Sequence, residues 1–239
     1  GGAIPFALIN WFSKKSLLAI RINMRYVILI ASFFTLLIQS LCAEIIPKDY
    51  SDLSEKMPKI SKELIEVHLK LYKGYVAEVN ALSNKLNQKE LDAFTYQSIK
   101  RRYGWEYDGV LLHELYFDNL GGDGKIDKKS YLYKKLTAQF GSFDKFLHDF
   151  KSTMKTRGIG WVVLYWDPKQ KVFFNAWITE HDTGPFIIGD PILVIDVWEH
   201  AYLPQFKTDR AAYADVIFEY VDWNLVSKRY SRALSEEKK

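Results

Sequence analysis

The chain has 239 residues, 48% of them hydrophobic and 26% charged, an ordinary globular composition that excludes a disordered or fibrous protein and fits one large or two small domains. Its single cysteine, Cys42, excludes a disulfide framework, a cysteine-based zinc site and an iron–sulfur cluster. The formal charge of +4 comes entirely from residues 1–43, which carry Lys14, Lys15, Arg21 and Arg25 and no acid, so the basic pI is no argument for nucleic-acid binding.

Met24-Arg25, an apolar run from Tyr26 to Leu37, and Ser40-Leu41-Cys42-Ala43 follow the order of a secretory signal, positive start, apolar middle and small-residue cleavage site. The apolar run is short for a bilayer span, so cleavage near Ala43 is expected rather than retention as an anchor. The chain left after the cut has no cysteine, which suits an oxidising, secreted or periplasmic location with no stable membrane association. Residues 1–23 begin with Gly rather than Met. They are read as sequence upstream of the true start, or as appended residues, and given no fold.

From Glu44 a polar lead-in runs through Pro47 to Pro58. Leu64, Val67, Leu71, Val79 and Leu82 then approximate a three/four spacing and predict a helix over 60–86. Two further helices are expected at 88–102, ending near Gly104, and at 108–120, stopping at Gly121-Gly122. Beyond a polar segment at 121–129, helices are expected at 128–139 and 143–156, the second capped by Ser142. Three β-rich runs follow, 161–166, 172–179 and 192–198, then helices at 209–221 and 224–235. The expected fold class is α+β, an N-terminal long helical hairpin over 44–124 and, over 125–239, a three-stranded antiparallel sheet flanked by helices. Asp123-Gly124-Lys125-Ile126-Asp127 imitates the middle of a calcium loop, but Gly121 and Ser130 fall where oxygen ligands are needed. A polar turn is the reading taken there.

Five histidines are present: His68, His113, His148, His181 and His200. Asp196 and His200 stand four apart where the third β-rich run ends, so they can share an ion if the chain turns helical there. Spacing of that kind is common and proves nothing alone. His148, among Asp144, Lys145 and Asp149, is given no function.

Longer strings narrow the reading. Asp196-Val197-Trp198-Glu199-His200-Ala201-Tyr202, then Tyr220-Val221-Asp222-Trp223 and Val226-Ser227-Lys228-Arg229-Tyr230, resemble the C-terminal half of the iron/manganese superoxide dismutases. Upstream, Leu112-His113-Glu114-Leu115-Tyr116-Phe117-Asp118-Asn119-Leu120, Phe140-Gly141-Ser142-Phe143 and Gly160-Trp161 resemble that family's segments in the same order. His68, Tyr75-Val76 and Asn80 resemble its first ligand helix.

The resemblance implies that His68, His113, Asp196 and His200 bind one iron or manganese ion per chain, cycling between +3 and +2 while superoxide is disproportionated to oxygen and hydrogen peroxide. It implies a proton-relaying pocket role for Tyr75 and an apolar shell of Tyr116, Phe117, Trp161 and Trp198. Glu199 becomes a partner of His200 across the interface of a homodimer. The chain departs from the family pattern in several places. His68 and Tyr75 are seven apart where eight is usual, and a second histidine of that helix is missing, its place falling at Leu71 or Tyr72. Leu203 replaces a usual tyrosine, and Ile159 a tryptophan. The residue that hydrogen-bonds metal-bound solvent is Gly109 at one usual position. At the other it is His181 or Glu180, with His181 preferred because a neutral donor fits the role. Iron or manganese, and dimer or tetramer, stay open, as does a non-catalytic metal-binding or structural relative of the same fold.

Overall fold

The computed structural model describes residues 44–88, 90–183 and 189–236; the expected leader and everything before it lie outside the described residues. The first long element is a helix whose buried side chains, Leu64, Ile65, His68, Tyr72, Val76, Val79 and Leu82, recur every three or four residues and so form one stripe. This helix, α2 (Lys62–Leu86), begins where the Ser61 hydroxyl accepts the Leu64 N–H, and it follows a single helical turn, α1 (Leu53–Lys56). An Asp92 cap starts α3 (Ala93–Asp118), which packs along α2 as an antiparallel partner joined by a short connection.

Gly104 does not end a helix: α3 runs unbroken through it, where two helices were expected. A glycine costs about 1 kcal/mol in a helix interior, an amount that packing along a whole partner helix overrides. Two shorter helices follow, α4 (Tyr131–Phe140) and α5 (Phe143–Met154), capped by the hydroxyls of Ser130 and Ser142. The intervening turn at 121–129 is polar, with Asp123 and Asp127 each accepting a backbone N–H two residues on.

Three strands, β1 (Trp161–Asp167), β2 (Val172–Ile178) and β3 (Asp190–Asp196), form an antiparallel sheet in the order β2-β1-β3. The central strand β1 is flanked on both edges, and its run Trp161 to Trp166 is buried throughout. Its first residue pairs with Asp196, and Val197 N–H continues the ladder to the Gly160 carbonyl. Gly160 has φ of 125°, and a Cβ there would overlap the Ile178 carbonyl, so only glycine lets the three strands meet at this end. Beyond β3 come α6 (Glu199–Phe206), α7 (Arg210–Phe218) and α8 (Trp223–Glu236). One apolar core joins residues of the hairpin, the sheet and the last helices, and from Ile45 on the chain is one compact unit. The fold is α+β, a helical hairpin followed by a small antiparallel sheet with flanking helices. No helix among the described residues is long and apolar enough to cross a membrane.

Candidate metal centre

Four elements bring one side chain each to a common point. His68 sits in the middle of the buried stripe of α2, His113 on the buried face of α3, Asp196 at the end of β3 and His200 in the first turn of α6. The carboxylate is the hub. Asp196 Oδ2 lies 3.1 Å from His68 Nε2, 3.1 Å from His200 Nε2 and 3.8 Å from His113 Nε2. All four potential donor atoms fall within 4.8 Å of one another, a spacing that an ion about 2 Å from each can bridge. Among the described residues this is the only such gathering of three or more histidine, cysteine or acidic side chains.

The tautomer of His113 is fixed by its surroundings. Its Nδ1 stands 2.7 Å from the Gly109 carbonyl, which can only accept, so Nδ1 carries the proton and Nε2 presents a lone pair. That Nε2 is fully buried and has no hydrogen-bond partner. A buried polar atom without a partner is costly, and here it faces two other imidazoles and a carboxylate. The donor set therefore fits a metal ion on the molecule's own terms. Asp196 uses its other oxygen, Oδ1, to accept the Trp198 N–H at 2.7 Å, which leaves Oδ2 for the cluster.

Burial opposes ionisation of Asp196, yet the imidazoles of His200 and His68 hold its carboxyl well below the usual range. Burial pushes the imidazoles of His68 and His113 below their ordinary value, so both are neutral at pH 7 and competent to ligate. The site is walled by rings. Tyr116 stacks on His68 with centroids 5.2 Å apart, Phe117 meets the same ring at 4.9 Å, Trp161 meets His113 at 4.9 Å, and Trp198 stacks on His200 at 6.2 Å.

Tyr75 packs its ring against His113 at 5.0 Å and His181 at 4.9 Å; burial raises its hydroxyl pKa, keeping it protonated. The helix between His68 and Tyr75 is regular α-helix, so seven residues make two turns and both side chains share a face. His181, just past β2, is fully buried, and its Nε2 is unpartnered. Glu180 turns the other way and accepts the Trp105 indole N–H at 3.1 Å. Of the two neighbours, the histidine is the one at the site. Gly109 makes the room: a Cβ there would lie 2.6 Å from His181 Nδ1 and 2.9 Å from the Tyr75 ring. Glu199 is exposed and is not among the gathered donors, and His148 is exposed on α5.

Several residues that hold the site were not singled out from sequence. Tyr213 donates its hydroxyl to the Asp196 carbonyl at 2.9 Å and shares a 3.1 Å hydrogen bond with the Tyr116 hydroxyl. Asn119 donates to the Tyr116 carbonyl and accepts the Val194 N–H at 3.0 Å, which ties the end of α3 to β3. Arg229 reaches the same Asn119 oxygen at 3.2 Å and the Leu115 carbonyl at 2.8 Å; burial lowers its pKa to about 10. Asn119 and Arg229 stood inside the quoted strings, and that was the only available signal. Tyr213 had none. Tyr72, one of the two positions where the missing family histidine was expected to fall, donates its hydroxyl to Glu114 at 2.9 Å.

The alpha-hairpin domain of the iron/manganese superoxide dismutases matches residues 44–121, and their C-terminal domain matches residues 128–229. The iron superoxide dismutase of Pyrobaculum aerophilum is 31% identical over 184 residues, covering 74% of this chain and 87% of its own. The Mn/Fe superoxide dismutase of Aeropyrum pernix is 32% identical over 200 residues, covering 81% and 92%. The iron enzyme of Aquifex pyrophilus is 31% identical over 198 residues, covering 79% and 92%. Likeness of this extent, over both halves of the fold and around a buried cluster of three imidazoles and a carboxylate, makes the chain a member of the iron/manganese superoxide dismutase family of oxidoreductases.

Proposed function

We propose that this chain disproportionates superoxide at one iron or manganese ion held by His68, His113, Asp196 and His200, turning two superoxide anions and two protons into oxygen and hydrogen peroxide. The observation that carries the reading is the buried, partnerless His113 Nε2 beside an Asp196 oxygen already facing two other imidazoles. The ion supplies one-electron chemistry between its +3 and +2 states. The chain supplies the rest. The Asp196 carboxylate balances one unit of the charge of the ion, and the imidazoles add lone pairs without adding charge, in a largely buried site. Tyr75, protonated at neutral pH, offers a hydroxyl that gives and takes a proton at the pocket. His181, with its proton on Nδ1, offers in the same space an Nε2 that accepts a hydrogen bond rather than the donor expected from the sequence, and the rings of Tyr116, Phe117, Trp161 and Trp198 exclude competing solutes.

The donor set serves either metal, and the relatives carry the names of iron and of manganese plus iron. The test is superoxide decay catalysed by metal-free chain reloaded separately with iron and with manganese. Activity with one names the metal, and activity with both marks a tolerant site. A chain that binds metal and leaves superoxide untouched is a non-catalytic relative.

We also propose a homodimer. Glu199 is exposed at the start of α6, and Leu203 on the same helix, with Val67 and Leu71 on α2, leaves apolar surface open on two helices that pack together. Sedimentation should give twice the chain mass, and Glu199→Ala should lower metal occupancy as well as dimer content. Secretion with cleavage near Ala43 is proposed from residues 24–43, and the amino-terminal sequence of the exported product tests it.

A further inference from the structure

Beside the four donors, Trp105 on α3 is held more tightly than its half-buried position requires. Its indole N–H is tethered to Glu180 at 3.1 Å, and the Arg102 guanidinium lies over its ring at 4.4 Å. Arg102 is itself fixed by Glu106 at 2.6 Å, and the Tyr75 ring meets the indole at 5.7 Å. The product of this grip is a nearly parallel stack on His181, with centroids 4.3 Å apart and planes at 19°. The Trp105 carbonyl also stands 3.2 Å from His181 Nδ1. A carbonyl can only accept, so Nδ1 carries the proton and the unpartnered Nε2 is left with its lone pair.

Space alone does not choose this arrangement. An imidazole has nearly the same outline in two orientations related by a half-turn, so shape by itself discriminates poorly between them. A contact that reads nitrogen from carbon is needed to break the tie, and a flat surface is needed to hold the ring in line with it. Trp105 supplies both. We propose that Trp105 is a positioning residue, which sets the ring plane and tautomer of His181 so that Nε2, and not Nδ1, is turned toward the metal centre. The inference rests on the reading of that centre given under Proposed function.

The test uses the full chain stripped of metal and carrying nitrogen-15 histidine, in which long-range proton–nitrogen spectra read the tautomer of each imidazole. The His181 signal is identified by its loss in His181→Gln. The unaltered chain should show one His181 tautomer, protonated on Nδ1, with slow solvent exchange of that proton. In Trp105→Leu the main-chain carbonyl remains but the stack that holds the ring in line with it is gone, so exchange of the Nδ1 proton should quicken about two- to tenfold. Trp105→Phe keeps an aromatic face without the tether to Glu180, and its exchange should lie between the two. A flat series overturns the proposal. Should Trp105→Leu lose its native circular dichroism, Trp105→Phe alone decides, and exchange equal to the unaltered chain's overturns it. Failure of the underlying reading shows up separately, as an unaltered chain that takes up neither iron nor manganese.

Discussion

Asp196 collects two imidazoles on a single oxygen, and a pH dependence follows from how little water reaches them. Burial depresses the pKa of His68, His113 and His181, so below about pH 6.5 the unfolded chain takes up protons that the folded chain refuses. Stability from these groups is full above that pH and is lost as pH falls through it; the depressed Asp196 carboxyl adds a further loss only in strong acid. The thermal midpoint of the metal-free chain should therefore drop between pH 8 and pH 5, and a flat midpoint contradicts the assignment. Gly109 makes the sharpest single-residue prediction. In Gly109→Ala the new methyl must displace His181 or Tyr75, so superoxide decay should slow by about tenfold or more at a stability cost of about 1–3 kcal/mol. Unchanged decay means that neither ring matters to the reaction. At this scale the sequence was only partly legible. His68, His113, Asp196 and His200 were identified by resemblance, since the spacing of Asp196 and His200 was weak by itself. The orientation of His181 against Glu180 depends on a Trp105 contact that no local pattern encodes.

At the scale of elements, strong periodicity made α2 readable, and continuous β-rich runs made the three strands readable to within two residues at each end. The error at Gly104 has a physical moral. Glycine is a weak helix former but not a stop signal, and a cap such as Asp92 or a left-handed turn such as Gly141, with φ of 86°, carries far more information. Short α1 and α6 span too few turns for a period to show. Nothing lies within 4 Å of a Cβ placed on Gly104, so Gly104→Ala should raise stability by about 0.5–1 kcal/mol. A lower thermal midpoint for that variant would mean that α3 needs a weak point there. Asn119 and Arg229 show what element-level reading leaves out. They join α3, β3 and α8 and so hold two donor-bearing elements in register, a function that appears only once the elements are assembled.

For the whole molecule, the lead-in before α1 is clasped to the hairpin. Ile45 gives its N–H to the Asn80 side chain and accepts from it, each at 2.9 Å. Lys48 donates its backbone N–H to the Tyr72 hydroxyl, while its ammonium pairs with Glu114 at 2.9 Å and Asp118 at 3.2 Å. Tyr50 adds a 2.6 Å bond to Asp118 and rests against Phe117, which touches His68. Composition announced none of this, since the segment reads as a polar stretch without a period. Asn80→Ala should cost about 1 kcal/mol and speed amide exchange at Ile45 while leaving that of the sheet unchanged. Uniform exchange across the two would place the lead-in within the same cooperative unit as the sheet.

The same clasp bears on the order of events in the life of the protein. A peptidase draws the residues on both sides of its cut into an extended channel, which a hydrogen-bonded segment cannot enter. Ile45 stands two residues past Ala43 with both its backbone groups already committed, so there is no slack once the lead-in has docked. Removal of the proposed leader therefore belongs to the undocked chain. For the proposed cleavage, trimming comes first and docking of the lead-in second.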